Sequence, residues 1–171
     1  MDRNRKNPPV CDEVLIAIRR VIQSIDLHSK HLVKQFGLTG PQLIILREIS
    51  QADKITASDI SKAISLSQAT VTGVLDRLEK RGYLVRKRSK QDRRRTLVEI
   101  TASGNHILAT APPLMQESFI EQFVELQTWE QHLILSSLHR LVAMMDAKQI
   151  VAAPLLTTGV IDTHLEEPKA P

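Results

Sequence analysis

The stretch from Ser67 to Arg95, SQATVTGVLDRLEKRGYLVRKRSKQDRRR, changes character twice. Val71, Val74, Leu75 and Leu78 recur at helical spacing, and the opposite side carries short uncharged polar residues. Gly82 ends that helix, Tyr83 to Ser89 alternates as a basic strand, and Lys90 to Arg95 is a tight basic loop. Residues 76–95 hold ten Lys or Arg against three Asp or Glu, a local net of +7. The whole chain is only +4, so the remainder sums to −3. A small-faced helix beside a cationic hairpin suits double-stranded DNA: the helix fits a major groove and the loop reaches the next minor groove.

Upstream, Thr56 and Asp59 resemble a capping box with Asp in place of Glu. They open a short helix, Ala57 to Ile64. Ser65-Leu66 is a turn, and Ser67 caps the helix from Gln68 to about Arg81. Two helices joined by so short a turn read as a helix-turn-helix. Thr39 and Pro41 start a preceding helix that runs to about Ser50, and Ile55 reads as a one-residue strand stub. Downstream, Thr96 to Ile100 is the return strand, so the hairpin is a wing.

Farther out, Asp12 to Phe36 has a long apolar stripe closed by Gly37. Thr101 restarts helix, with Gly104 a weak point in the first turn. Pro112-Pro113 breaks the pattern. Thr128, with Gln131 at the capping-box position, starts a last helix bearing Leu133, Ile134, Leu138 and Met145. These stripes exceed what one small winged domain covers, so they are read as a dimerisation layer. The expected class is mainly α with a small β-hairpin wing, a winged helix-turn-helix plus a helical dimerisation layer. Residues 1–11 are expected to be a flexible arm and 12–148 the folded domain. Within it, 12–36 and 102–148 are dimerisation helices and 38–101 the winged helix-turn-helix; 149–171 are a tail.

Composition narrows the class. Five aromatic residues in 171 argue against base-stacking single-strand or RNA readers. The lone Cys11 excludes an intrachain disulfide and suits a reducing cytoplasm. No signal-type apolar segment or ~20-residue apolar run occurs, so a soluble, cytoplasmic protein without membrane partners is expected. No catalytic motif, phosphate loop or dinucleotide turn is present, so neither catalytic residues nor a cofactor is expected.

The pattern Ser67-x-x-Thr70-Val71-Thr72-x-x-Leu75-Asp76-Arg77-Leu78-Glu79-Lys80-Arg81-Gly82, followed by Asp92-Arg93-Arg94-x-x-Leu97-Val98-x-Ile100-Thr101-x-x-Gly104, resembles the multiple antibiotic resistance regulator (MarR) family. Leu38-Thr39-x-x-Gln42-x-x-x-Leu46 resembles the start of that family's second helix. The resemblance implies a dimeric winged helix-turn-helix transcription regulator, usually a repressor released from its operator by a small-molecule effector. It also implies that Arg94 inserts into the minor groove and that Asp92 orients it through a salt bridge. The chain departs from the family at Gly73, where an arginine is common. A glycine there costs ~1 kcal/mol relative to alanine.

The residues expected to carry DNA binding follow. Ser67, Gln68, Thr70 and Thr72 lie on the first turns of the recognition helix, where base edges come within reach; Gln68 suits adenine and threonine methyls suit thymine. Arg77 and Lys80 would meet phosphates, with Arg86 and Arg88 on the strand leading into the wing. Arg93, Arg94 and Arg95 form its tip; guanidinium loses water more cheaply than ammonium in a narrow minor groove. His28, His31, Gln42 and Arg47 are candidates for an effector crevice. His28 and His31 share a helical face, but no cysteine joins them, and no metal site is assigned.

Other readings stay open on sequence alone. Cys11 lies near the place used by peroxide-sensing members of the family, though the tyrosines that would support its thiolate are missing. A winged domain used only for protein–protein assembly is the rival from another class; it has no need of the basic loop. The stretch LHSKHLVKQFGLTGPQ (27–42) is similar to regulators of compatible-solute synthesis, which would imply an osmotic role.

Overall fold

The computed structural model describes residues 8–52, 54–89, 92, 94–150 and 152–158. Among them the order is α1 (Pro9–Phe36), α2 (Gly40–Gln51), α3 (Ala57–Ile64), α4 (Gln68–Lys80), β1 (Leu84–Arg88), β2 (Thr96–Ile100), α5 (Ala102–Thr110), α6 (Met115–Val124) and α7 (Thr128–Met144). The mainly helical fold with one antiparallel hairpin is as expected.

The α1 helix begins earlier than Asp12. Pro8 is its extended N-cap and Pro9 its first residue, where a missing N–H costs nothing. Part of the expected arm is therefore helical, and Cys11 is exposed within the first turn. The end matches expectation: Gly37 takes a left-handed φ of 65° and its N–H returns to Val33. The other starts follow their caps. Gln42 accepts from the Thr39 N–H at 2.9 Å, and Asp59 and Thr56 exchange hydrogen bonds across the α3 start.

The core is aliphatic. Leu43, Ile45, Leu46 and Ile49 of α2 meet Ile60 and Ile64 of α3, and Val71, Val74, Leu75 and Leu78 of α4 close over them. The hairpin joins through Leu84 and Val98, both buried. Its register pairs Leu84 with Ile100 and Arg88 with Thr96. Ile55 supplies the expected strand stub, bridging Val98 and accepting its N–H at 2.8 Å. Gly104 is no weak point, because a β-carbon there would come within 2.1 Å of the Tyr83 carbonyl oxygen. Its bare backbone lets α5 seat against the hairpin.

The outer helices behave differently. Val14, Leu15, Val21 and Ile22 of α1, Phe119 and Ile120 of α6, and Leu133 and Leu138 of α7 are all exposed in the single chain. α7 also starts one residue earlier in its capping logic than expected. Its N-cap is Gln127, whose N–H is accepted by Glu130 at 2.9 Å. Gln131, expected to serve the cap, instead donates to the carbonyls of Phe123 and Leu126 and closes the end of α6. Part of the tail is ordered against the domain. Leu155 packs on the core, and the Thr158 N–H donates to Ser29 Oγ at 3.1 Å.

Candidate nucleic-acid interface

Recognition-helix placement begins in the turn before it. Ser65 holds a left-handed φ of 54°, Leu66 is buried, and Ser61 Oγ donates to the Leu66 carbonyl at 2.6 Å. Ser67 Oγ then accepts the Thr70 N–H at 3.1 Å and lies 2.8 Å from Thr70 Oγ1. Ser67 thus caps its helix, half-buried. Thr70, expected to face bases, is turned inward and only 8% exposed. The reason is its spacing: Thr70 lies four residues before Val74 and extends that buried stripe.

Gln68, Ala69, Thr72, Asp76, Arg77 and Lys80 form the outward side of α4. The Thr72 hydroxyl donates to the Gln68 carbonyl at 2.8 Å, and Arg77 Nε donates to the Gly73 carbonyl at 3.0 Å. This surface is shallow, with its long cations toward the helix end.

Arg86, expected to contact DNA, is paired within the molecule. Its guanidinium lies 2.5 Å from Asp76 and 3.4 Å from Glu79, and reaches the Thr72 carbonyl at 3.4 Å. Its backbone N–H donates to Glu79 Oε1 at 3.1 Å. The side chain is a strut between strand and recognition helix. The sequence held a usable signal: Arg86 sits two residues after Leu84, on the same strand face, opposite carboxylates three apart on the helix. Arg88, at the strand end, is exposed.

The wing turn is built from its own polar groups. The Ser89 N–H donates to the Arg95 carbonyl, and the Arg95 N–H to the Asp92 carbonyl, each at 2.9 Å. Asp92 Oδ1 accepts the Arg94 backbone N–H at 2.9 Å. Among the described residues, then, Asp92 meets Arg94 at its backbone and shapes the turn, where a salt bridge to the guanidinium was expected. Arg94 is exposed at the tip. Arg95 reaches Asp59 of α3 at 3.4 Å, which tethers the wing to the helix-turn-helix. Asp59 is held below its ordinary 3.8, first by the Thr56 hydroxyl and backbone hydrogen bonds and then by the charges of Arg95 and Lys62. Arg93 lies outside the described residues.

One residue absent from the expected set also positions the helix. Arg81 donates to the Gly37 carbonyl at the end of α1 and stacks 4.9 Å from the Tyr83 ring centroid. It ties the end of α4 to the end of α1; its place in a cationic run gave no hint of this.

The four effector candidates are not brought together as a polar cluster. Gln42 is buried and spent on its helix cap. Arg47 pairs with Glu117 and donates to the Pro112 carbonyl at 3.0 Å, so it binds α2 to α6. Burial raises Glu117, but the Arg47 hydrogen bond, the Leu114 N–H and the Arg47 charge together hold it below its ordinary 4.5. His28 is half-buried with Nε2 lacking a partner among the described residues, and His31 is exposed. No group of three His, Cys, Asp or Glu suited to a metal occurs among the described residues. No helix among them is long and apolar enough to cross a membrane.

Comparison with known proteins agrees with this geometry. Residues 38–96 match the model of the MarR family. The chain is 36% identical over 121 residues to the HTH-type transcriptional regulator YcgE of Bacillus subtilis, covering 70% of this chain and 78% of that one. It is 29% identical over 109 residues to the HTH-type transcriptional regulator SarZ of Staphylococcus haemolyticus, covering 64% and 74%. Among solved structures, the Staphylococcus aureus MepR–DNA complex superposes with a TM-score of 0.55 at 22% identity, over 75% of this chain and 94% of that one, a likeness of fold.

Proposed function

The chain belongs to the MarR family of transcription regulators, which are not enzymes, and on that footing we propose that it is a homodimeric repressor of a near-palindromic DNA operator. The observation that carries the reading is the joint held by Arg86. Through Asp76 and Glu79 it makes the recognition helix and the wing one unit, and Arg94 stands exposed at that unit's tip. A rigid helix-plus-hairpin presents a groove-sized helix and a groove-sized cation at fixed separation, which is what a duplex requires.

Roles divide by position. Gln68 and Thr72 face base edges. Arg77, Lys80 and Arg88 meet phosphates, which fix register without reading sequence. Arg94 enters the minor groove, and the charges of its sequence neighbours Arg93 and Arg95 favour that approach. Dimerisation supplies the second copy. The exposed apolar residues of α1, α6 and α7 border a cleft of about 630 Å³ lined by Val21, Ile25, Phe119, Phe123 and Ile134. A second copy covers this surface and sets two recognition helices about one DNA turn, ~34 Å, apart. An effector acts by binding more tightly to a dimer whose lobes are spaced wrongly for DNA. The stretch that resembles solute-responsive members forms the α1–α2 junction, where Leu32, Leu38 and Gln42 are buried. Those residues have structural work to do, so no osmotic ligand is assigned.

The test is a fluorescence anisotropy titration of the duplex upstream of the protein's own gene. Arg94→Ala is expected to weaken binding by about 1–3 kcal/mol with the fold unchanged. Equal binding by that variant refutes the wing assignment.

A further inference from the structure

Gly73 stands mid-way along α4, where glycine is the poorest residue after proline, because it surrenders the most backbone freedom. Other glycines of the chain have reasons within the protein. Gly37 and Gly82 take left-handed φ values of 65° and 73°. A β-carbon at Gly104 strikes backbone, and one at Gly40 would press on Thr157 at 3.0 Å. Gly73 has neither excuse: its backbone is helical, and among the described residues no atom lies within 4 Å of the β-carbon it lacks. Arg77 bonds its carbonyl, but an alanine would keep that carbonyl. Nothing among the described residues asks for glycine.

The surroundings indicate what does. Gly73 is half-buried, and Ala69 and Asp76, about one turn away on either side, are exposed beside it, as is Thr72. The Thr72 hydroxyl proton is committed to the Gln68 carbonyl, and the Asp76 carboxylate is held by Arg86. Beside the exposed Arg77, whose Nε is committed to the Gly73 carbonyl, the patch therefore offers carbon to an approaching partner: the Ala69 and Thr72 methyls and the half-buried Gly73 backbone. We propose that Gly73 is a specificity-determining residue, whose missing side chain lets the C5-methyl of a thymine reach van der Waals contact with α4 in the major groove. The thymine methyl is the apolar group of the major-groove edges; the other groups there need a polar partner, which glycine does not supply. An added β-carbon would hold the base edge off and spoil the fit of the neighbouring contacts. This inference rests on the DNA-binding reading above.

The experiment uses the full-length dimer and a duplex that the wild type binds. Wild type and Gly73→Ala are titrated against that duplex and against copies with single dT→dU replacements, which remove only the methyl. Thermal melts run alongside. Gly73→Ala is expected to melt about 2–4 °C higher, as a better helix former. It is expected to bind the parent duplex about 10-fold more weakly. One dT→dU per half-site should weaken the wild type by about 3–10-fold and leave the variant indifferent. Gly73→Ala binding as tightly as wild type, or a wild type insensitive to every dT→dU, overturns the proposal while the DNA-binding reading stands. A wild type that binds no duplex brings down both.

Discussion

Eight positions separate Arg86 from Arg94, yet one is enclosed by carboxylates and the other stands exposed. A cation already paired with Asp76 and Glu79 has little to gain from a phosphate, whereas an exposed guanidinium on a braced turn gains a groove. Arg86→Met should therefore lower unfolding stability by roughly 1 kcal/mol, a figure kept small because its partners are half-exposed and screened. It should also weaken binding to all DNA sequences alike, since the wing loses its seat. Urea melts combined with titrations on several duplexes check this; an unchanged melt with a shallower salt dependence would make Arg86 a direct phosphate contact. The residue types of the candidate interface were readable in the chain, because short polar side chains and cations sit where a groove needs them. Their orientations were less so. Thr70 turned inward because it continues the Val74 stripe, and Asp92 shapes the turn through a backbone N–H that no residue identity advertises.

Elements meet across the α2–α6 tie, where Arg47 holds Glu117 and the Pro112 carbonyl. Glu117 lies below its ordinary 4.5 in the folded chain, because the bonds it accepts outweigh the cost of its burial. A carboxylate depressed in this way stabilises the fold above its unfolded pKa, and that contribution is lost as pH falls through the folded value. Glu117→Gln should accordingly melt lower than wild type near pH 7, by an amount worth about 1 kcal/mol after allowance for exposure. The gap should narrow as pH falls below 4.5 and close once pH is below the folded value. Paired thermal melts across pH 3–7 measure it, and a gap independent of pH would show that the charge is irrelevant. At this scale the chain was largely legible. Thr39, Thr56, Ser67 and Thr101 mark helix starts, and the proline pair separates α5 from α6. The α7 cap was misplaced by one residue because two candidate boxes overlap there. Glu130, an anion, takes the Gln127 N–H, and Gln131 is drawn to the orphan carbonyls at the end of α6. Arg47 gave no warning either, since a partner 70 residues away leaves no local pattern.

At the scale of the molecule, two surfaces remain to be matched. One is the apolar face spread over α1, α6 and α7; the other is the basic wing beside α4. In the proposed dimer a second copy covers the first and duplicates the second. Dimer geometry then decides whether both recognition helices meet one face of a straight duplex. The direct measurement is hydroxyl-radical footprinting of the bound upstream duplex by wild type and Arg94→Ala. The account predicts two symmetric protected segments centred about 10 base pairs apart. Each should be flanked by a minor-groove protection that vanishes in Arg94→Ala. A single unsymmetric footprint, or flanking protections that survive the substitution, would contradict it.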